Sequence, residues 1–131
     1  MVIVDTHIII WEALDPEKLS KKAKFAFDEA NESTGIILCD ISLWEISMLI
    51  TKKRLEIEIP FLDFMDLIRT TRNYKIQSIT PEIADISTNL SFEINSDPAD
   101  RIIAATSIYS NSGLITADKN LRSSKLISTI W

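Results

Sequence analysis

Short apolar segments alternate along this chain with stretches patterned as helices, and that alternation limits the fold more than any other feature. Val2–Asp5 reads as a strand running directly into a helical stretch, Thr6–Leu14. Pro16 opens a second helix through Asn31, and Gly35 releases a second strand, Ile36–Asp40, followed by a helix from about Ser42 to Arg54. Pro60 starts a helix to about Arg72, and Lys75–Ile79 reads as a third strand. Thr80-Pro81 begins a helix to about Ser91, with the threonine as cap and proline at the first position. Asp97-Pro98 opens a further helix through Ser110. Gly113 then leads into a fourth strand, Leu114–Ala117, a short helical turn and a last strand near Leu126–Ile130. Strands that are apolar at successive positions need cover on both faces, which with intervening helices means an α/β fold around a parallel sheet. Ligands of such sheets gather beyond the carboxyl ends of the strands. No repeat, linker or low-complexity tract divides residues 1–131, so one domain is expected.

Several chemistries are excluded by what the chain lacks. Its glycines are Gly35 and Gly113, too few and too far apart for a phosphate-binding loop or a dinucleotide fingerprint. The lone Cys39 and lone His7 cannot build a cysteine cluster or a paired-histidine zinc site. No apolar run exceeds four residues, against roughly twenty for a membrane span, and no secretory leader pattern opens the chain. A cytoplasmic protein without membrane contact is expected. Net charge is −5, opposite to the basic footprint of a tight nucleic-acid binder. If RNA or DNA is handled, a divalent cation is the natural means of drawing a phosphate into such a chain.

The reactive residues at strand ends are carboxylates. Asp5 ends the first strand and Asp118 follows the fourth, and each also reads as a helix cap. Ser42-Leu-Trp-Glu45 matches a capping box. At about 100° per residue, however, Glu45 lies about 40° from Ile41 and among Trp44, Met48 and Leu49. A glutamate on a packed side must be neutralised, hydrogen-bonded or paired with a cation. Asp97 reads as the cap of its helix, with Asp100 as the box acid. Asp100 shares a side with Ile103 and Ala104 on a nearly all-apolar helix, so it faces the interior or a cleft. The helix dipole is expected to lower its pKa. Asp5, Glu45, Asp100 and Asp118 packed together without a cation would instead push each other's pKa values up. Mg²⁺ or Mn²⁺, which prefer oxygen ligands, would stabilise such a cluster and activate water for attack on a phosphodiester.

Asp5-Thr6-His7-Ile-Ile-Ile-Trp11, Ile41-Ser-Leu-Trp-Glu45-Ile, Asp97-Pro-Ala-Asp100-Arg-Ile-Ile-Ala-Ala-Thr106 and Thr116-Ala-Asp118 together resemble the PIN-domain family. More narrowly they are similar to its VapC-type ribonucleases, the toxins of toxin–antitoxin pairs. The resemblance spans the chain from Met1 to Ile130-Trp131. It implies an α/β/α sandwich with a central mostly parallel sheet and an Mg²⁺- or Mn²⁺-dependent endoribonuclease. Asp5, Glu45, Asp100 and Asp118 match the family's acidic quartet of catalytic metal ligands, and Asp97 matches a frequent extra acid. Thr6 and Thr116 match hydroxyl positions beside the metal. The implied partners are an RNA substrate (tRNA is a candidate), a small cognate antitoxin and a second copy in a homodimer. Many relatives carry histidine just upstream of the Asp-Pro-x-Asp-Arg segment, where this chain has Asn95. That departure bears on substrate contact or rate more than on the metal site.

Two other classes remain open from the residues alone. A phosphatase or phosphotransferase with Asp5 as nucleophile lacks the second acid its known versions place nearby, since His7 stands two residues on. A catalytically weak or inactive PIN-like module would use the acidic pocket only to engage RNA or an antitoxin-like partner. His7 reads as packing on the first helix before it reads as a base. Lys18–Lys24 and Lys52-Lys53-Arg54 read as solvated faces before they read as RNA guides. Trp11, Trp44, Phe61 and Phe64 read as core or interface, and Cys39 as a buried small hydrophobe.

Overall fold

The central sheet has five strands in the order β3-β2-β1-β4-β5, and every pairing is parallel. In this computed structural model, which describes residues 1–131, the strands are β1 (Val2–Val4), β2 (Ile36–Cys39), β3 (Tyr74–Gln77), β4 (Gly113–Ile115) and β5 (Thr129–Ile130). The helices are α1 (Thr6–Leu14), α2 (Lys21–Asn31), α3 (Asp40–Thr51), α4 (Phe61–Thr71), α5 (Pro81–Asn89), α6 (Pro98–Ser110) and α7 (Lys119–Ser123). None is long and apolar enough to cross a membrane.

The continuous apolar strands are explained by cover on both faces. Val4, Ile36, Leu38 and Ile115 join Ile8, Ile9, Phe27, Phe64 and Ile68 from α1, α2 and α4 in one cluster. Ile3, Ile37, Cys39 and Leu114, the alternate positions, join Ile103 and Ala104 of α6 and Leu121 of α7 on the other face. Successive residues of β1 and β2 therefore enter opposite layers, which makes the α/β/α sandwich. Gly35 enters β2 at φ +100°, and a Cβ there would stand 3.2 Å from the Asn73 carbonyl oxygen. An L side chain fits neither that backbone nor that space.

Element boundaries differ from expectation where side-chain capping decides them. Residues Pro16–Asn31 do not form one helix. Pro16–Lys18 is a single 3₁₀ turn, Leu19 is extended, and Ser20 restarts the helix by accepting a bond from the Ala23 N–H at 3.1 Å. Thr80 caps α5 and Asp97 caps α6 as expected, through the Ile83 and Asp100 N–H groups. Helix α3 begins at Asp40 rather than Ser42, with Cys39 at its cap and no side-chain cap bond. The Ser42–Glu45 capping box therefore does not exist, and both side chains are free for other partners.

Sheet topology settles where a ligand would enter. The chain builds outward from β1 through β2 to β3, then returns to place β4 on the other side of β1. The helices after β1 and β4 thus leave in different layers, opening a crevice beyond the carboxyl ends of those two strands.

Candidate active site

Asp5 stands at that crevice. Its N–H donates to the Ile115 carbonyl at 3.1 Å, prolonging the β1–β4 pairing by one residue. Its Oδ1 accepts from the Thr6 N–H at 2.7 Å, capping α1, and its Oδ2 accepts from the Thr116 hydroxyl at 2.7 Å. The residue is only 6% exposed. Burial pushes its carboxyl above the ordinary value, the two hydrogen bonds hold it back in part, and the nearby Asp118 charge adds to the rise.

The other acids arrive from three elements. Asp118 caps α7 by accepting from the Leu121 N–H at 2.9 Å, while its own N–H donates to the Thr116 hydroxyl oxygen at 3.0 Å. Thr116, fully buried, therefore links Asp118 to Asp5 through one hydroxyl. Glu45 comes from the second turn of α3, and its Oε1 accepts from the Thr6 hydroxyl. That hydroxyl also meets Ser42 Oγ at 2.8 Å, deep between α1 and α3. Asp100 lies in the first turn of α6, where Oδ2 accepts from Asn95 Nδ2 at 3.0 Å. Asp97 is more exposed than these and spends Oδ1 on the Asp100 N–H at 3.1 Å.

Electrostatically these side chains form one group. Burial chiefly raises Glu45, with Asp5 and Asp97 adding to it and the Thr6 hydrogen bond opposing. Asp100 is pushed up to about 7, first by burial and then by Asp5, Asp97 and Asp118, against the Asn95 hydrogen bond. The expected lowering by the helix dipole is overturned here, because burial and like charges outweigh a half-charge at a helix end. Asp5, Glu45 and Asp100 are thus each raised chiefly by burial, with neighbouring carboxylates adding to the rise. As placed, no three of the acids close tightly enough to hold an ion between them. The donors are all oxygen, and one oxygen each of Glu45, Asp100 and Asp118 is left without a hydrogen-bond donor. That set fits a hard cation such as Mg²⁺ or Mn²⁺, whose charge would relieve the elevation.

Three residues take roles here that the sequence did not assign them: Asn95, expected to bear on substrate contact or rate, Arg101 of the Asp-Pro-x-Asp-Arg motif, and Ser42, expected to cap its helix. Asn95 donates to Asp100 and also to Asn120 Oδ1 at 3.0 Å, while its own Oδ1 accepts from the Asp97 N–H at 2.8 Å. It therefore touches the acidic group directly rather than only flanking it. Arg101 spreads over the carbonyls of Ser87, Leu90 and Ile94 at 2.6–3.0 Å, pinning the loop that presents Asn95. Ser42 supports Thr6 from inside α3. Asparagine and serine are common turn formers, so nothing short of the fold separates these uses from local ones.

A groove of about 620 Å³ runs outward from Glu45 and Asp97 past His7, Trp11, Lys18 and Arg54. His7 is exposed and tilts against Trp11 with ring centroids 5.9 Å apart. Phe64 is buried and Phe61 packs at the edge of the same core, as expected. Trp44 is not core, since 60% of it is exposed on the outer side of α3. Cys39 is buried, and burial pushes its thiol up to about 12.

Comparison with known proteins gives a concordant result. The PIN domain family model matches residues 2–125. Ribonuclease VapC22 of Mycobacterium tuberculosis is 32% identical over 122 residues, covering 93% of this chain and 90% of that protein. Among solved structures, VapBC2 from Rickettsia felis bound to a DNA fragment from its promoter superposes with a TM-score of 0.72 at 14% identity. It is matched over 98% of this chain and 97% of that one. A toxin–antitoxin complex from Klebsiella pneumoniae gives 0.66 at 21% identity, covering 98% and 97% of the two chains. FitAcB from Neisseria gonorrhoeae gives 0.65 at 17% identity, covering 98% and 96%. At these identities the structural matches speak to the fold.

Proposed function

The chain belongs to the PIN-domain family, and from that premise we propose that it is a divalent-metal-dependent endoribonuclease, the toxin of a toxin–antitoxin pair. One observation carries the chemistry: Asp5, Glu45, Asp100 and Asp118 share one electrostatic group at the β1–β4 crevice. The relative that bears the name ribonuclease supports RNA as the substrate. The toxin–antitoxin complexes among the structural neighbours support a small antitoxin as partner. In this reading residues 1–131 act as one nuclease unit, in the cytoplasm and as a homodimer.

Asp5, Asp100, Glu45 and Asp118 would hold the metal. Bound Mg²⁺ or Mn²⁺ supplies Lewis acidity and an activated water for in-line displacement at phosphorus. The remaining work belongs to the chain. The Thr116 hydroxyl fixes one oxygen of Asp5 and the Thr6 N–H the other, so the carboxylate cannot rotate away from the crevice. The Thr6 side chain holds Glu45, and Asn95 holds Asp100. Asp97, at the rim, sets the first turn of α6 and with it the height of Asp100.

The test is cleavage of a mixture of tRNA and structured RNAs by purified protein in Mn²⁺, comparing the unaltered chain with Asp5→Asn. Discrete products from the unaltered protein alone, abolished by EDTA, are expected. Equal cleavage by a folded Asp5→Asn protein would refute the assignment.

A further inference from the structure

Three cations that the acidic group does not use converge on its flank. Lys22 of α2 and Lys119 and Arg122 of α7 line an open pocket of about 430 Å³, together with Ser123, Thr129 and Trp131. No carboxylate side chain lines it. The ion pairs of the molecule are Lys18–Asp15, Lys24–Asp28 and Arg72–Glu12, so none of the three cations is neutralised by a side chain. In a chain of net charge −5, with acidic side chains in excess, three cations without an ion pair around one concavity make a local positive patch suited to an anion.

Two features tie the pocket to the crevice. Lys119 follows Asp118 directly, so the pocket begins one residue from the acidic group. The Trp131 ring at its edge lies 6.1 Å from Trp11, which in turn lies 5.9 Å from His7. Trp11 and His7 line the groove that contains Glu45 and Asp97. His7, Trp11 and Trp131 therefore pack tilted against one another between the acidic groove and the basic pocket, and Lys18 Nζ stands 5.8 Å from the Trp11 ring centroid. Three cations, two hydroxyl residues and the Trp131 ring around one pocket suit a single nucleic-acid strand, whose phosphate takes the cations while a base stacks. An acidic peptide would use the cations and leave the rings without a function.

We propose that Lys22, Lys119 and Arg122 form a subsite for a backbone phosphate of single-stranded RNA beside the scissile one, with a base against Trp131. This inference rests on the ribonuclease reading above and extends it. The subsite explains how an acidic chain retains a polyanion: the metal neutralises the reacting phosphate, and the flanking phosphates meet local positive charge. Contacts of this kind position a strand and do not read its bases.

The experiment is a fluorescence-anisotropy titration of a labelled single-stranded RNA in Mg²⁺, on an Asp5→Asn background so that bound RNA stays whole. An Asp118→Asn background repeats it should the first fail to fold. Each background is compared with and without the combined changes Lys22→Ala, Lys119→Ala and Arg122→Ala, which alter exposed side chains. At about 0.7 per neutralised phosphate for a single strand, the slope of log affinity against log salt should fall by about 0.7 for the one phosphate of the subsite, and low-salt affinity by at least about tenfold. Lys22→Arg with Lys119→Arg should keep the original slope. Equal affinity and slope with and without the three cations would overturn the subsite, even where the unaltered chain cleaves RNA. Tighter binding of a polyglutamate of matched charge than of the RNA would overturn its assignment to RNA. Cation-dependent RNA binding with no cleavage by the unaltered chain would uphold the subsite and overturn the nuclease reading.

Discussion

Replacing Thr6 by valine removes one hydroxyl and little volume, yet that hydroxyl serves two partners. It donates to Glu45 and meets Ser42 Oγ at 2.8 Å. Thr6 is 1% exposed and Ser42 fully buried, so no water replaces the Ser42 bond, while Glu45 is half-buried. A hydrogen bond to a charged group contributes about 1.5–3 kcal/mol, and a buried hydroxyl left without a partner costs about 1–3 kcal/mol. The added methyl recovers about 0.8 kcal/mol of burial, leaving a net loss of about 3 kcal/mol. For 131 residues at about 2.1 cal/mol/K each, the loss corresponds to a fall of about 10 °C in Tm. The loss should also depend on pH. Burial already holds Glu45 above its ordinary value, and the Thr6 bond is the main force opposing that rise. Without it Glu45 climbs further. A carboxyl raised in the folded state favours folding below its unfolded pKa and loses that advantage as pH rises through its folded pKa. The deficit of Thr6→Val should therefore be largest in alkaline buffer and shrink toward the Ser42 contribution, about 1 kcal/mol, as Glu45 protonates. Thermal melts in EDTA across this range isolate the effect from any metal, and Thr6→Ser should restore most of it. A Tm change below about 2 °C, or a deficit indifferent to pH, would refute the hydroxyl's double role.

Asp100 titrates at about 7 when no cation is present, so a cation arriving in acid must displace its proton. Calorimetric affinity for Mn²⁺ should fall about tenfold from about pH 8 to about pH 6, with proton release on binding; a flat profile would show that Asp100 lies outside the metal's reach. The Tyr74 hydroxyl is buried with no hydrogen-bond partner. Tyr74→Phe should therefore raise Tm by about 3 °C, and a fall would mean that the phenol is satisfied in solution.

Much of the sandwich was legible because strand burial is written twice in the chain. Ile36, Ile37, Leu38 and Cys39 are apolar at four successive positions, and the structure sends them alternately into the two helical layers. The caps at Thr80 and Asp97 were equally readable, since a side-chain acceptor three residues before its donor is a local event. Boundaries went astray where two local signals competed. Pro16 can open a helix and so can Ser20. The outcome, one 3₁₀ turn and then α2, depends on Leu19 being needed in the core behind them. The Ser42–Glu45 box failed for a similar reason: α3 starts at Asp40, which turns both side chains from capping toward Thr6.

The same contrast runs through the crevice. Asp5 and Asp118 could be placed because strand ends are visible in a sequence, and Glu45 because a charge among apolar neighbours on a helical wheel demands a partner. Their cap roles were visible too, but as an alternative to the acidic group rather than alongside it. Asp5 and Asp118 are helix caps and members of the acidic group at once, each spending one oxygen on a backbone N–H. A cap therefore does not compete with the site; it fixes the carboxylate's rotamer and leaves lone pairs for a cation. What could not be read was which side chains away from the strand ends the packed fold would bring together. Asn95 reaches Asp100 only because Arg101 pins the loop before it to the carbonyls of Ser87, Leu90 and Ile94. Lys22 meets Lys119 and Arg122 only once α2 and α7 flank the β5 edge of the sheet. The acids lie where the backbone direction dictates, so periodicity finds them. The residues that orient them, and the cations that would guide a strand to them, depend on the packed sheet for their company.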